Sequence, residues 1–355
     1  MARPTTGDET LGPQIDSLAW KFSRLREELT LQEVSDALDQ VVTTLGELPF
    51  RLQSVRRRGY LFQSDLKART EALGEEWPSI QKQVQLDIRR RSQRLMGRAV
   101  GIDGQLRQLE PYRNRLASQA PPLLTQVEHG LDRLEEQVEA EVRAIKELFD
   151  THDQRVREIG RRIQHVEWIL DQFDTATFGL YQGEATVEAV QAQQFLDDEG
   201  GPKGMLYLTD QRLLFEQKEE VVVKRRFLVF TEKEMVHKLL WELPIGLVER
   251  AKEEKEGSFI FRKEYLEMTF GPGASLETAR LRLRVDPEEW LALIGRVKSG
   301  DIVRERIDAK EVAAVPEEPV KIPAQCPGCG AALPQQVVRG QRVIVCEHCG
   351  REIAV

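Results

Sequence analysis

The sequence predicts a multidomain α + β protein with an N-terminal helical region, then a β-barrel followed by a closing helix, and last a small metal-binding tail. Apolar residues recur every three or four positions over most of residues 14–178, which is typical of amphipathic helices. From Val187 the pattern changes to alternating apolar and polar residues, which is typical of strands. All four cysteines lie between Cys326 and Cys349, in two Cys-x-x-Cys pairs with the spacing of metal ligands.

The composition limits the classes of function. Charged residues make up 31% of the 355 residues and aromatic residues 6%, which suits long solvated helices better than one large core. With 51 basic and 59 acidic residues the formal net charge is −8, which argues against nucleic acid or an anionic bilayer as the main partner. The N-terminus has no basic start, and no apolar run approaches about 18 residues. We therefore expect no signal peptide, no transmembrane helix and a cytoplasmic location.

The longest helical pattern runs from Pro121 to Phe173 and predicts one continuous helix, a rod of roughly 75 Å. Its apolar residues have the spacing of a coiled-coil seam, in which His152 takes one position. These apolar residues are Val127, Leu131, Leu134, Val138, Val142, Ile145, Phe149, Val156, Ile159, Ile163, Val166, Leu170 and Phe173.

The chain before this run predicts further helices, and two prolines predict where they end. Pro49 is expected to end the helix that follows Ile15, a short basic helix to follow from residue 50 to about 73, and Pro78 to break the chain again. Residues 78–118 should then fold back on residues 122–173 as an antiparallel helical hairpin. A parallel homodimer along the 127–173 seam is the alternative.

The alternating region predicts about seven strands and one closing helix. Asp286 is expected to cap that helix, with a proline next to it and Trp290 facing the sheet. Nine segments are candidates for these strands: 187–193, 205–209, 212–215, 221–230, 235–241, 245–251, 259–261, 266–270 and 279–285, with a turn over 196–204.

Residues Gly204–Phe215 carry a family resemblance. A glycine leads a strand that ends in threonine, and after a short turn an arginine begins an apolar strand, which resembles the opening hairpin of a GRAM domain. The resemblance covers about 187–299 and implies a PH-like fold that binds protein or anionic lipid. PH-like domains that hold phosphoinositides usually carry basic residues in the loop after the first strand. Here that loop contains Asp197, Asp198 and Glu199, and Lys203 is its basic residue, which argues against headgroup binding of that kind.

Other basic residues offer a second edge for an anion. These are Lys224, Arg225, Arg226, Arg262 and Lys263, for which a solvated strand edge is the alternative interpretation.

The tail predicts a closed zinc site. Cys326 and Cys329 form the first pair and, after 16 residues, Cys346 and Cys349 form the second. Four thiolates fill the tetrahedron that zinc prefers and leave no position for a catalytic water, so the site is expected to be structural. A rubredoxin-like iron site uses similar cysteines, but nothing in the sequence suggests a redox partner. His348 is expected to lie on the surface.

The tail over 324–355 resembles a zinc ribbon, with a hairpin formed by residues 333–338 and 342–345 between the cysteine pairs. Its few basic residues and its lack of aromatic side chains argue against nucleic acid. The predicted segments are a disordered tail over 1–13, a helical coiled-coil region over 14–178, the PH/GRAM-like domain over 187–300, a linker over 301–323 and the zinc ribbon over 324–355.

No catalytic motif is found in the sequence, so we expect a non-enzymatic cytoplasmic scaffold or adaptor that holds one structural zinc and binds protein partners. The alternative is a peripheral membrane protein whose GRAM-like domain binds anionic lipid. A weaker alternative is a nucleic-acid-associated regulator that uses the zinc ribbon and the arginines between Arg89 and Arg98. Homo-oligomers through the coiled coil stay open.

Overall fold

The computed structural model describes residues 10–195, 200–226, 230–256, 263–307, 323–333 and 343–354. The chain divides into two compact units. The helical unit comprises Met1–Pro49 and Arg69–Gly160, and the sheet unit comprises Phe50–Ala68 and Arg161–Val355. The domain boundaries predicted from the sequence stay predictions.

The α-helices among these residues are α1 Gly12–Glu28, α2 Gln32–Arg57, α3 Asp65–Leu109, α4 Pro122–Lys146, α5 Asp150–Asp174 and α6 Pro287–Ser299. The strands are β1 Thr186–Phe195, β2 Lys203–Thr209, β3 Arg212–Arg226, β4 Phe230–Pro244, β5 Val248–Glu256, β6 Lys263–Phe270, β7 Thr278–Leu283, β8 Val343–Val345 and β9 Glu352–Ala354. No described helix is both long enough and apolar enough to cross a membrane.

In the helical unit, α3 and α4 run antiparallel, as the predicted hairpin requires. Arg91 of α3 pairs with Glu141 of α4, and further along α3 Ile102 lies against Gly130 near the start of α4. The apolar seam of α4 is buried within the one chain. Its buried residues are Leu124, Val127, Leu131, Leu134, Val138 and Ile145.

Helix α1 also packs on α4, and here the two helices run parallel. The Lys21 ammonium lies 2.7 Å from the Asp132 carboxylate and 2.8 Å from Glu135. The same parallel direction continues beyond α1, because Glu33 at the start of α2 pairs with Lys146 at the end of α4. Among the described residues, the neighbours of α4 therefore include α1, the start of α2, and α3.

The prediction of one rod from residue 121 to 173 is wrong, because α4 ends at Lys146 and α5 begins at Asp150. Between them the Leu148 and Phe149 amides donate to carbonyls three residues back, which tightens one turn. The apolar stripe nevertheless continues across the break, since Ile145, Phe149 and His152 are all buried.

The two predicted proline breaks are also wrong. Pro49 lies inside α2 and Pro78 inside α3. An internal proline removes one backbone hydrogen bond and crowds the preceding turn. The neighbouring side chains Leu48 and Trp77 are buried, and this packing holds both helices together across the prolines.

The predicted short helix over residues 50–73 is divided between the end of α2 and the start of α3. Of the predicted disordered tail, residues 1–9 lie outside the described residues. Leu11, however, is fully buried, and its amide donates to the Arg115 carbonyl at 2.9 Å. Helix α1 begins at the next residue, Gly12, inside the segment predicted to be disordered.

The sheet unit contains a seven-stranded antiparallel sheet in the order β4-β3-β2-β1-β7-β6-β5. A separate strand over 221–230 is not found, because β3 continues to Arg226 and pairs with β4 along its length. The predicted strand over 259–261 and part of the 196–204 turn lie outside the described residues. Among the described strands β4 and β5 are the two edges, so closure into a barrel stays a prediction.

The closing helix is confirmed. The Asp286 side chain accepts a hydrogen bond of 2.9 Å from the Glu288 amide, and a proline follows it at the first helical position. Trp290, Ile294 and Val297 are buried. Gly300 ends the helix with a φ of +81°, a conformation that glycine adopts without strain.

On one face of the sheet, the last turns of α5 cover an apolar cluster. Its buried members are Ile169, Ala189, Met205, Tyr207 and Leu214, and Trp168, Phe173 and Phe178 pack around them. The core of this unit therefore includes residues that precede the predicted domain start at 187.

Candidate metal centre

The two cysteine pairs fold into equivalent turns. In the first, the Gly330 amide donates to the Cys326 carbonyl at 2.9 Å, and in the second the Gly350 amide donates to the Cys346 carbonyl at 2.8 Å. Gly330 has a φ of +74° and Gly350 a φ of +70°, which glycine adopts without a Cβ clash. A glycine directly after the second cysteine of each pair therefore lets the chain close the turn.

Each turn is closed by a short strand pairing. Gln325 bridges to Ala332 around the first pair, and β8 pairs with β9 around the second. The predicted hairpin between the pairs falls mostly on residues 334–342, which lie outside the described residues. The described part of its second strand, β8, pairs instead with β9, which follows the second cysteine pair.

The four predicted cysteines, Cys326, Cys329, Cys346 and Cys349, come together. All four sulfurs lie within 4.8 Å of one another. The Sγ–Sγ distance is 3.7 Å between Cys326 and Cys349, and 3.6 Å between Cys329 and Cys346. A disulfide needs about 2.05 Å, whereas ligands at about 2.3 Å around a tetrahedral zinc are about 3.8 Å apart. The sulfur spacing therefore fits a shared metal ion and excludes disulfides in this arrangement.

Local hydrogen bonding favours a thiolate in the cluster. The Gly328 amide donates to the Cys326 sulfur at 3.3 Å, and this bond is the main cause that lowers the pKa of the Cys326 thiol to about 6. Only deprotonated cysteine binds a metal. The first cysteine of the set is thus prepared for a cation near neutral pH.

A small apolar core supports the site. Cys326 and Cys346 are buried together with Leu333 and Ile353, whereas Cys329 and Cys349 are exposed. One ligand of each pair therefore faces this core and the other faces solvent.

The two turns also touch through a contact that the sequence did not predict. The Arg351 side chain passes over Gly328, and a Cβ atom at position 328 would lie 2.9 Å from the Arg351 Cδ. Glycine at 328 thus allows a cationic side chain beside a cluster that is anionic when four thiolates hold one divalent ion. His348 is exposed and does not belong to the cluster, as expected.

No protein-family model and no curated protein matches the chain. Among solved structures, the chain is similar to the Vps36 N-terminal PH domain at 16% identity and a TM-score of 0.23, over 35% of this chain and 86% of that one. It is similar to the DH/PH domains of PDZ-RhoGEF in complex with activated RhoA at 10% identity and a TM-score of 0.28, over 79% and 95% of the two chains. For the DH/PH domains of p115-RhoGEF the identity is 13% and the TM-score 0.23, over 81% and 93%. These low TM-scores support no assignment of the chain to a family.

Proposed function

We propose that this protein is a non-enzymatic scaffold or adaptor with one structural zinc, in which a helical region, a GRAM/PH-like domain and a zinc ribbon provide surfaces for protein partners. The observation that carries the proposal is the set of four cysteine sulfurs within 4.8 Å of one another. Because four thiolates complete the zinc tetrahedron, a metal held there keeps no position for substrate or water.

The cysteine cluster has the features of a metal site that stabilises a fold. Among the described residues of the tail, Leu333, Ile353 and two of the cysteines form a small core, which is little apolar surface to hold a fold. Metal binding supplies folding energy on the order of 10 kcal/mol to such modules. The role of this site is then to keep the end of the chain in one shape.

The PH-like assignment of about 187–299 rests on the order of elements. Seven antiparallel strands come first, and one helix follows β7, capped by Asp286 and anchored by Trp290. Such a domain offers strand edges and loops as docking surfaces, and the aromatic residues around Tyr207 stabilise it from one face. Binding of proteins through this domain is the proposal; binding of anionic lipid is the alternative.

Affinity capture with cross-linking tests this role on the full-length chain. Intact protein loaded with zinc, and a Cys346→Ser variant as control, are used as baits, and cross-linked residues are identified by mass spectrometry. We expect stoichiometric partners cross-linked to the sheet unit or the tail, with the tail cross-links lost in the variant. If the protein floats with phosphatidylserine vesicles and captures no stoichiometric protein partner, the membrane role is favoured over the scaffold role.

A further inference from the structure

We infer that a basic cleft on the sheet binds an acidic peptide segment of a partner protein. This cleft has a volume of about 680 Å³ and its basic residues are Lys203, Lys218, Arg282 and Arg284, with three glutamines beside them. The inference rests on the proposed scaffold role and names the chemistry of one partner.

The sign of the charge in this cleft is opposite to that of the chain. The chain carries a net charge of −8, yet none of the described residues that line the cleft is Asp or Glu. Glu216 lies on the same face of β3 as Lys218, but its side chain is fully buried and accepts hydrogen bonds from Thr177 and Tyr207. The Glu219 carboxylate borders the cleft, where it accepts a hydrogen bond of 3.1 Å from the Lys203 amide, but the four cations outnumber it. The local field in the cleft is therefore positive and attracts an anion.

Strand register places these cations in a row. Gln193 of β1 lies opposite Lys203 of β2 on one side and opposite Arg282 of β7 on the other. Gln193 thus separates the two cations by two inter-strand steps, which is about 10 Å. A ligand that meets both cations has to extend across the glutamine.

None of the four cations forms an ion pair within the described part of the chain. The Lys218 ammonium donates instead to the Thr175 hydroxyl at 2.9 Å. Arg280, on the same strand as Arg282, lies 2.8 Å from Glu256 and within 4 Å of two further carboxylates. One strand therefore carries a neutralised arginine and, two residues later, an arginine without a counter-charge.

The shape of the row indicates an extended ligand. From β3 to β7 it crosses three inter-strand steps, which is about 14 Å. A compact phosphate needs cations that converge on one point, whereas a peptide in extended conformation covers this distance with about four residues. Carboxylates of such a peptide meet the Arg282 and Arg284 guanidinium groups in two-bond geometry, and the glutamine amides are donors for its backbone.

Fluorescence anisotropy on the zinc-loaded full chain tests this inference. The probe is a labelled peptide of alternating Glu and Ser, and the control peptide has Gln in place of Glu. We expect saturable binding of the Glu peptide alone, weakened by salt because the pairs are exposed. The double variant Arg282→Glu, Arg284→Glu should weaken binding at least about tenfold, which corresponds to about 1.4 kcal/mol.

A matched variant separates the cleft from net charge. Arg250→Glu with Lys238→Glu changes the total charge equally, and both positions are exposed on β5 and β4. Equal loss in both double variants, or no binding of the Glu peptide, would overturn the inference even if partner capture succeeds. Binding of pyrophosphate, phosphatidylserine vesicles or polyuridylate that the Glu peptide does not displace would assign the cleft to those anions instead.

Discussion

Arg212 and Glu184 form a buried two-bond ion pair in the sheet unit. The Arg212 Nε donates to one Glu184 oxygen at 2.9 Å and Nη2 donates to the other at 2.7 Å, and both side chains are at most 5% exposed. The Tyr181 ring lies 3.7 Å from the guanidinium carbon. Burial raises the pKa of Glu184, but hydrogen bonds from Arg212 and Thr209 outweigh it and leave this pKa below its usual value. The pair ties the segment before β1 to the start of β3.

Removal of one partner of this pair is expected to destabilise the sheet unit strongly. Arg212→Ala leaves the Glu184 charge buried without its partner, which typically costs about 3–5 kcal/mol. Urea denaturation followed by tryptophan fluorescence measures the change, since Trp241 and Trp290 lie in this unit.

Two further variants control this result. Arg296→Ala removes an exposed pair with Glu305 and should cost at most about 1 kcal/mol. Arg212→Met combined with Glu184→Leu should cost less than Arg212→Ala alone, because no fully buried charge is left unpaired; Glu242, which also pairs with Arg212, is partly exposed. Equal small losses for Arg212→Ala and Arg296→Ala would contradict a structural role for the buried pair.

Gly204 is expected to tolerate no side chain. A Cβ atom there would lie 1.8 Å from the Glu216 carbonyl oxygen of β3, so β2 and β3 would have to separate. Gly204→Ala should therefore destabilise the sheet unit by about 3 kcal/mol or more. Gly246→Ala is the matched control, because a Cβ at 246 meets no atom within 4 Å. Similar thermal melting of both variants would show that the strands do not approach as described.

His152 should be a weak point of the helical unit in acid. It is 3% exposed and stacks on Trp77 at 5.2 Å, and its Nε2 has no partner among the described residues. Burial, with the nearby Arg155 charge, lowers the pKa of His152, although Glu76 opposes this shift. The pKa of His152 in the folded protein lies below the unfolded value of about 6.5. Above that pH the ring is neutral in both states, and as the pH falls the unfolded ring binds a proton first, which lowers the free energy of unfolding.

His152→Leu should remove this loss. We expect a melting temperature higher by about 2–4 °C at pH 8, and a larger gain near pH 5.5, where the unfolded imidazole binds a proton more readily than the buried one. Differential scanning calorimetry at both pH values measures the gain. The expectation would be contradicted if the gain in melting temperature were smaller at pH 5.5 than at pH 8, or if the variant melted lower at both pH values. Either result would show that the contacts of the imidazole ring stabilise the folded protein.

The antiparallel pairing of α3 and α4 predicts a link within one chain. A Cβ at position 130 would lie 3.7 Å from the Ile102 side chain. Cysteines introduced as Ile102→Cys and Gly130→Cys should therefore form a disulfide that leaves the protein monomeric on a non-reducing gel. Covalent dimers in place of the internal link would favour the parallel homodimer along the 127–173 seam.

Local patterns predicted much of the helical unit, but not where its helices end. The stripe that placed His152 in the seam depends only on the 3.6-residue period, and the structure buries that side chain. Pro49 and Pro78 predicted breaks because proline lacks an amide hydrogen, whereas the packing of Leu48 and Trp77 decided the outcome. Packing is a property of distant contacts, which a local pattern does not contain.

The two candidate sites also differ in whether local sequence or distant contacts bring their residues together. The cysteines were identified from their spacing, because both ligands of each pair belong to one turn. The contact of Arg351 with Gly328 joins two turns, and no local signal marks it. The basic cleft needs the register of β1, β2, β3 and β7, so Arg282 and Lys203 come to lie on either side of Gln193 only once those strands are paired.

Metal analysis of the full-length chain tests the central claim most directly. Protein purified without added metal, under reducing conditions, should contain one zinc per chain, held by the four cysteines that lie together in the tail. Cys346→Ser should lose that zinc and keep the helical circular dichroism signal, because the helical unit does not include the tail. Absence of zinc, iron in its place, or zinc retained by the Cys346→Ser variant would contradict a structural zinc site in this protein.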